Sequence, residues 1–514
     1  MAKLHLDSLI GKRSPKAVRV ALDRLATGSD AYDSAYDSAM ERIEGQVSDQ
    51  TELAKQALAF LTCAQRPLST LELREALGVE VDEPELDPDN YPYVEDILAS
   101  YLGLVSVDED SGIIRLVHYT TQEYLERTLD RWFPDAEAMI ADVCISYLYL
   151  DRFADPTRSD PTEDNAWYAY AATNWARHAR RAPSSFKRVV NLLTREVNLT
   201  KSSFHRFYHG SPIREYEKFI KIKEPWTTGL HLAVGFELED ATVALLQQGF
   251  DLNLRDVSGR TPLIVAANIG SKAIVEQLLK HGSPIDARID ERQEIWPGCI
   301  ALHVASSRAH VNIVKLLLDA GAAINSKDKN DDTPIRLAAK RQKTEVVRVL
   351  LDAKALMTSP NLPEYRREPF EKTLLGLAVT RPQINTFRLL LEAGADVNER
   401  EYATHKTALY YAASRQSIDM VQLLLDTGAD PNIPAGDGST SLKMACWNYE
   451  EDVSFSIVKM LLNAGANINA LDMDGCTAYE TAKRRNNVKV AQYLLERGAD
   501  PELGLNGRSD SPNQ

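Results

Sequence analysis

A short pattern, Thr-x-Leu-x-x-Ala, returns through the second half of this 514-residue chain as TGLHLA (228), TPLIVA (261), IALHVA (300), TPIRLA (333), TLLGLA (373), TALYYA (407), TSLKMA (440) and TAYETA (477). The starts lie 33, 39, 33, 40, 34, 33 and 37 residues apart, a period of 33 with small insertions. A second element follows in phase, as in IVEQLLKHGSPID, IVKLLLDAGAAIN, VVRVLLDAKA, TFRLLLEAGADVN and MVQLLLDTGADPN. A unit of this length cannot bury its apolar face alone, so the stack is the folding entity.

Each part of the pattern has a physical reason. Thr and Pro open a short helix, because the hydroxyl can satisfy a free amide and Pro at the first turn loses no intrahelical bond. The small Ala allows helices to approach, and the Leu-Leu pair of the second helix fills the seam between units. Gly in LLxxGA ends that helix in a left-handed conformation that a side chain penalises by about 1 kcal/mol. The DVNxxDxxG segment then makes a finger that leads into the next unit. These residues resemble the ankyrin repeat, and the resemblance implies an α-solenoid of about eight units over residues 224–503. Three stretches depart from it: 287–298 (ARIDERQEIWPG) and 357–370 (MTSPNLPEYRREPF) replace ordinary fingers, and 448–455 (NYEEDVSF) lengthens the link between the helices of unit seven.

The first half reads as helix, helix, helix, hairpin, helix between residues 53 and 130. In RPLSTLELREALG, Ser69 and Glu72 form a capping box; LVSV and IIRLV alternate around the turn DEDSG as a two-stranded wing. This order is a winged helix. RPLSTLELREAL, GLVSVDEDSGIIRLVHYTTQEYL and YAYAATNWARHAR resemble the winged-helix and helical region that follows the NACHT ATPase in fungal NLR-like proteins, a region with a relative described with GPI inositol-deacylases. The expected organisation is a helical remnant (1–52), a winged helix (53–130), a helical connector (131–223), the repeats and a disordered tail (504–514), mainly α throughout. The aromatic-rich WYAYAATNWARHARR is expected to be core.

Proteins of the resembled kind carry a P-loop, and G-x-x-x-x-G-K-[ST] is absent; the only Gly-Lys, Gly11-Lys12, lacks its flanking residues. Two expectations stand side by side: a gene that has lost its motor, or a start upstream of Met1. The resemblance also implies a nucleotide contact for His118 if an ATPase is supplied in trans.

Composition excludes several classes. A net charge of -15 and a pI near 5.3 oppose nonspecific attraction to nucleic acid or anionic membranes. The acidic run VEVDEPELDPD stands where a DNA-reading winged helix needs Lys or Arg. No secretory leader or long apolar span is visible, and the five cysteines are scattered without a CxxC, which points to reduced thiols in the cytosol or nucleus.

Candidate chemistry is sparse. His118 and Glu123 lack a nucleophile or metal partner, and Thr120 followed by Glu123 reads instead as a capping box opening a helix after IIRLV. His205 and His209 have zinc-ligand spacing on a helix, but no further ligands accompany them. LDMDG (471–475) lacks the first Asp and closing Glu of a calcium loop and reads as a finger. No catalytic, cofactor or metal residue is assigned, and no enzyme activity is expected.

The position eight residues after each repeat start holds Phe236, Ile269, Arg308, Arg341, Arg381, Arg415, Asn448 and Arg485. Lys340 and Arg484 lie beside two of these, and Trp447 offers an aromatic anchor. The resemblance places this row on the concave side of the array. Arginine pairs bidentately with carboxylate or phosphate, so the expected partner is a protein or peptide, acidic or phosphorylated, unless finger residues such as Asp331 or Asp437 neutralise the row. Two functions follow: a noncatalytic adaptor in NLR-like signalling or nonself recognition, or the C-terminal part of a nucleotide-driven switch.

Overall fold

The computed structural model describes residues 29–101, 103–108, 110–150, 165–194, 228–256, 258–290, 296–357, 373–380, 384–447 and 450–503. The chain is mainly helical and packs as two compact units, residues 1–257 and 258–514.

The first unit contains α1 (Ser29–Glu44), α2 (Ser48–Cys63), β1 (Leu68–Ser69), α3 (Thr70–Leu77), α4 (Val94–Ser100), β2 (Val105–Val107), β3 (Ile113–Leu116) and α5 (Tyr119–Arg127). It continues with α6 (Leu129–Trp132), α7 (Ala136–Tyr149), α8 (Tyr168–Arg181), α9 (Phe186–Thr194), α10 (Gly229–Gly235) and α11 (Glu239–Gln247). The wing has three strands rather than the two expected, in the order β1-β3-β2, all antiparallel, with Leu68 opposite Ile114 and Val105 opposite Leu116. The extra strand is held by Thr70, whose N–H and hydroxyl both donate to Gly112 O (2.9 and 3.0 Å). Leu58, Leu68, Leu73, Ile97, Tyr101, Ile114 and Leu125 form the core beneath it.

The capping box at Ser69 and Glu72 is present: Ser69 Oγ accepts from Glu72 N–H at 3.2 Å and Glu72 Oε2 from Ser69 N–H at 2.8 Å. The box expected at Thr120 and Glu123 is not. Helix α5 begins two residues earlier, with His118 as its N-cap residue and the imidazole Nδ1 accepting from Thr120 N–H at 3.2 Å. The Thr120 hydroxyl lies 2.9 Å from that nitrogen and 2.8 Å from Tyr36 Oη of α1, while Glu123 is exposed. A partner 84 residues away has taken the hydroxyl that the local pattern reserved for the helix.

The aromatic segment is core, as expected. Trp167, Tyr170 and Trp175 are buried; Trp167 stacks on Tyr170 at 4.3 Å and meets Phe60 of α2 edge-on at 5.5 Å. A buried polar chain runs beside them: Tyr170 Oη accepts from Gln65 N–H at 3.1 Å and lies 2.9 Å from His178 Nε2, whose Nδ1 lies 2.5 Å from Glu137 Oε2. The members of this chain satisfy one another, whereas the indole Nε1 atoms of Trp167 and Trp175 are buried without a hydrogen-bond partner.

The second unit contains helix pairs α12 (Pro262–Ile269) and α13 (Lys272–Lys280), α14 (Ala301–Arg308) and α15 (Val311–Asp319), α16 (Pro334–Lys340) and α17 (Thr344–Asp352), and α18 (Leu374–Thr380) and α19 (Ile384–Glu392). Three more follow: α20 (Ala408–Ser414) with α21 (Ile418–Asp426), α22 (Ser441–Ala445) with α23 (Glu451–Asn463), and α24 (Ala478–Arg484) with α25 (Val488–Glu496). First helices pack on first helices from α12 through α24, and second helices form the other layer. Val275, Val314, Val347, Val421 and Val458, each fully buried, fill the seams between second helices.

Caps follow the pattern in part. Thr373, Thr407, Thr440 and Thr477 each accept from the N–H three residues on, whereas Thr261 and Thr333, the two followed by Pro, make no side-chain cap. The second helices end at left-handed glycines, except that Lys354 takes the same conformation (φ 63°) with a side chain.

The finger asparagines carry a role that the sequence pattern alone does not show. Asn432 Oδ1 accepts from Asn467 N–H of the next unit at 2.6 Å while its Nδ2 donates to Gly465 O at 3.0 Å. Asn398 and Asn469 repeat both bonds toward Asp430 and Gly428, and toward Asp500 and Gly498. Fingers also touch through backbone: at Gly438 (φ 77°) a Cβ would lie 3.0 Å from the backbone of Asp472 and Met473, so a side chain would push the next finger away and would be strained in the left-handed conformation.

The insertion in unit seven corrects one expectation. Instead of lengthening a link, residues 451–454 extend α23 to 13 residues against the usual nine. Glu451 and Asp452 lie in its first turn, where carboxylates favour the helix dipole, and Phe455 packs edge-on to Tyr493 at 5.0 Å.

Candidate partner-binding face

Among the described residues, the positions eight residues past the repeat starts fall at the C-terminal ends of the first helices. Arg308 is the last residue of α14, and Arg341, Arg415 and Arg485 are the C-cap residues of α16, α20 and α24. Because α14, α16, α20 and α24 belong to one layer, the four arginines lie along one edge of it. A cation at a helix C-terminus also complements the dipole, so part of the preference for Arg is local.

The side chains differ in what they touch. Arg308 Nε donates to Asn268 Oδ1 at 3.0 Å, and Arg415 and Arg484 are exposed. The Arg341 guanidinium stands 6.0 Å from the ring centre of Trp296, and the Arg485 guanidinium 3.9 Å from that of Trp447, which is 46% exposed. Arg381 and Asn448 lie outside the described residues, as do His205 and His209. Trp296 is the site residue that sequence reading missed; its signal was a lone aromatic in the otherwise polar insertion 287–298.

Lys340 is committed elsewhere. It forms an ion pair with Asp332, which is 4% exposed and also faces Arg336 Nε at 3.2 Å. The finger carboxylates expected to quench the row have other partners: Asp331 is near Lys327 at 3.8 Å, and Asp437 Oδ1 accepts from Ser439 N–H at 3.0 Å. In the LDMDG finger, Asp472 Oδ1 accepts from Asp474 and Cys476 N–H (3.1 and 2.7 Å), and its carboxylate pairs with Lys443.

Behind Lys340 the finger of unit four is anchored by buried groups. Asp328 Oδ1 accepts from Asn330 and Asp332 N–H, both at 2.8 Å, and burial together with the Asp332 charge pushes its carboxyl up to about 6. His303 Nδ1 accepts from Ile300 N–H and Nε2 meets Asp332 O at 3.0 Å, while burial pulls the imidazole down to about 4. Burial likewise raises the Cys299 thiol, the Asp328 charge adding to it. This cluster anchors the finger that leads into the start of α16, and its ionisable groups are buried.

Family comparison gives the architecture its names. The family model "Ankyrin repeats (3 copies)" matches overlapping stretches of residues 230–472 (230–328, 285–361, 302–401, 353–435 and 375–472). The second half carries ankyrin repeats. The model "GPI inositol-deacylase, winged helix domain" matches residues 40–133, so the first unit carries a winged helix of that type.

Among curated relatives, the B-cell lymphoma 3 protein homolog of Mus musculus is 36% identical over 116 residues, 22% of this chain and 25% of that protein. Rabankyrin-5 of Mus musculus is 30% identical over 172 residues, 34% of this chain and 14% of that protein. The chain thus spans a quarter or less of these relatives. The crystal structure of the human ASB11 ankyrin repeat domain is 25% identical, covers 47% of this chain and 100% of that one, and has a TM-score of 0.38. Ankyrin repeats generally bind protein partners, and the array is a protein–protein interaction module.

Proposed function

We propose that this protein is a noncatalytic adaptor whose ankyrin array captures an acidic or phosphorylated protein segment, and that it serves NLR-like signalling or nonself recognition in the cytosol or nucleus. The observation that carries the partner chemistry is the edge of Arg308, Arg341, Arg415 and Arg485, with Arg484 beside it, in a chain of net charge -15. Neutralising carboxylates on the neighbouring fingers are engaged with other groups, as Asp331 and Asp437 illustrate. A guanidinium at such an edge offers paired N–H donors to carboxylate or phosphate, and the aromatic rings of Trp296 and Trp447 supply apolar contact beside two of them.

The NLR-like setting rests on the resemblance of the winged helix and connector to regions that follow NACHT ATPases. Five buried, unpaired cysteines suit a reducing compartment.

The test is a peptide array with matched phosphorylated, glutamate-substituted and neutral members, probed with the full chain and with an Arg341→Glu, Arg415→Glu, Arg484→Glu variant. Preferential capture of anionic members, weakening with salt and lost in the variant, is expected. Unchanged capture and unchanged salt dependence in the variant would refute the acidic-partner reading.

A further inference from the structure

The first ankyrin unit departs from the repeat pattern at two positions, Gly229 and Phe236, and both meet the connector. Where other units place Pro262, Ala301, Pro334, Ala408, Ser441 or Ala478, the first has Gly229. A Cβ there would lie 1.8 Å from Leu193 O at the end of α9, a backbone approach that no side chain permits. Where four other units have arginine in the described row, the first has Phe236, packed edge-on to Trp175 of α8 at 5.4 Å. The next residue, Glu237, holds Arg180 Nη1 at 2.7 Å.

Helix α9 packs on both α10 and α11, as one repeat packs on the next. Its sequence, FKRVVNLLT, buries Val189, Leu192 and Leu193, much as α13 buries Ile274, Val275 and Leu278. Helix α8 packs extensively on α7, and α7 on α2 of the winged helix.

We infer that α8 and α9 act as the N-terminal capping repeat of the array, so that the first ankyrin unit folds as part of the winged-helix body and is closed to the partner row. A repeat array needs an end cap because its terminal unit otherwise exposes a seam. Here the cap is made from the connector, and through α9 it packs the first ankyrin unit, α10 and α11, onto the winged-helix body.

Hydrogen exchange on the full chain tests this. In sub-denaturing urea, residues 186–194 and 229–247 are expected to open in one event with α7 and α8. Opening of 229–247 in step with 262–280, with 186–194 already exchanged, would overturn the inference.

Gly229→Ala gives a second, opposite-signed test. Helix propensity alone predicts slower exchange in α10, since Ala is the better helix former. The cap predicts exchange about tenfold or more faster in both 186–194 and 229–247, with 334–496 unchanged, because the added methyl forces α9 away. Slower exchange, or an effect confined to 229–247, would reject the cap. Should that variant not fold, Phe236→Arg restores the pattern residue at a half-buried site; accelerated exchange in α8 and α10 supports the inference, and unchanged exchange in both rejects it.

Discussion

The Arg485 guanidinium lies over the ring of Trp447, 3.9 Å from its centre, joining the last described repeat to the one before it. The two residues come from separate units, and stacking of the helices brings them together. A cation over a partly exposed indole contributes about 0.5–1 kcal/mol. Arg485→Ala is therefore expected to lower the stability of the terminal repeats by that amount and to alter Trp447 fluorescence. Urea unfolding followed at the indole measures both; an unchanged midpoint and spectrum would mean that the stack is not maintained in solution.

Asn432 binds the next unit twice, through Asn467 N–H and Gly465 O. Asn432→Ala removes both bonds and leaves those backbone groups to water, with an expected loss of about 1–2 kcal/mol. Asn432→Asp keeps the acceptor and loses the donor, so its midpoint in urea should fall between those of the parent and the alanine variant.

Lys354 occupies a left-handed position that glycine fills at the ends of the other described second helices from Gly249 to Gly498. Lys354→Gly relieves that strain at some cost in unfolded-chain entropy, leaving an expected net gain of roughly 0.5–1 kcal/mol. Thermal unfolding of the two proteins at matched concentration checks the sign.

The His303 and Asp328 pair predicts an unusual acid response. His303 falls from 6.5 to about 4 on folding, so between those values the unfolded chain holds the extra proton and stability falls as pH falls. Asp328 rises from 3.8 to about 6, so in the folded state it takes up a proton first and stability rises as pH falls through the same window. Each effect is on the order of 3 kcal/mol, and they oppose. Asp328→Asn keeps the amide acceptor and removes the compensating proton uptake. Its urea midpoint should drop more steeply than the parent's between pH 6 and pH 4; parallel profiles would contradict the assignment.

The local patterns were legible where their partners were local. Ser69 and Glu72 stand three residues apart and make the box their spacing announces. Thr120 and Glu123 have the same spacing and do not, because the preceding His118 is extended (φ -145°, ψ 150°) with its ring nitrogen in reach of Thr120 N–H, and Tyr36 claims the hydroxyl. The extra strand β1 was equally invisible, since two residues have no periodicity to read.

For the candidate face, the sequence by itself determined which residues recur and where, because a 33-residue period converts chain spacing into position along a stack. It determined the helix pairs, the glycine ends and the row of arginines. Only the tertiary structure decided what each row member faces: Trp447 for Arg485, Trp296 for Arg341, Asn268 for Arg308, and for Lys340 a buried carboxylate that takes it out of the row. The physical reason is the reach of the interactions. Caps, turns and helix periodicity act over a few residues and are written in the local pattern, whereas an ion pair, a stacked ring or a close backbone approach such as that of Gly229 to Leu193 depends on which segments packing brings together.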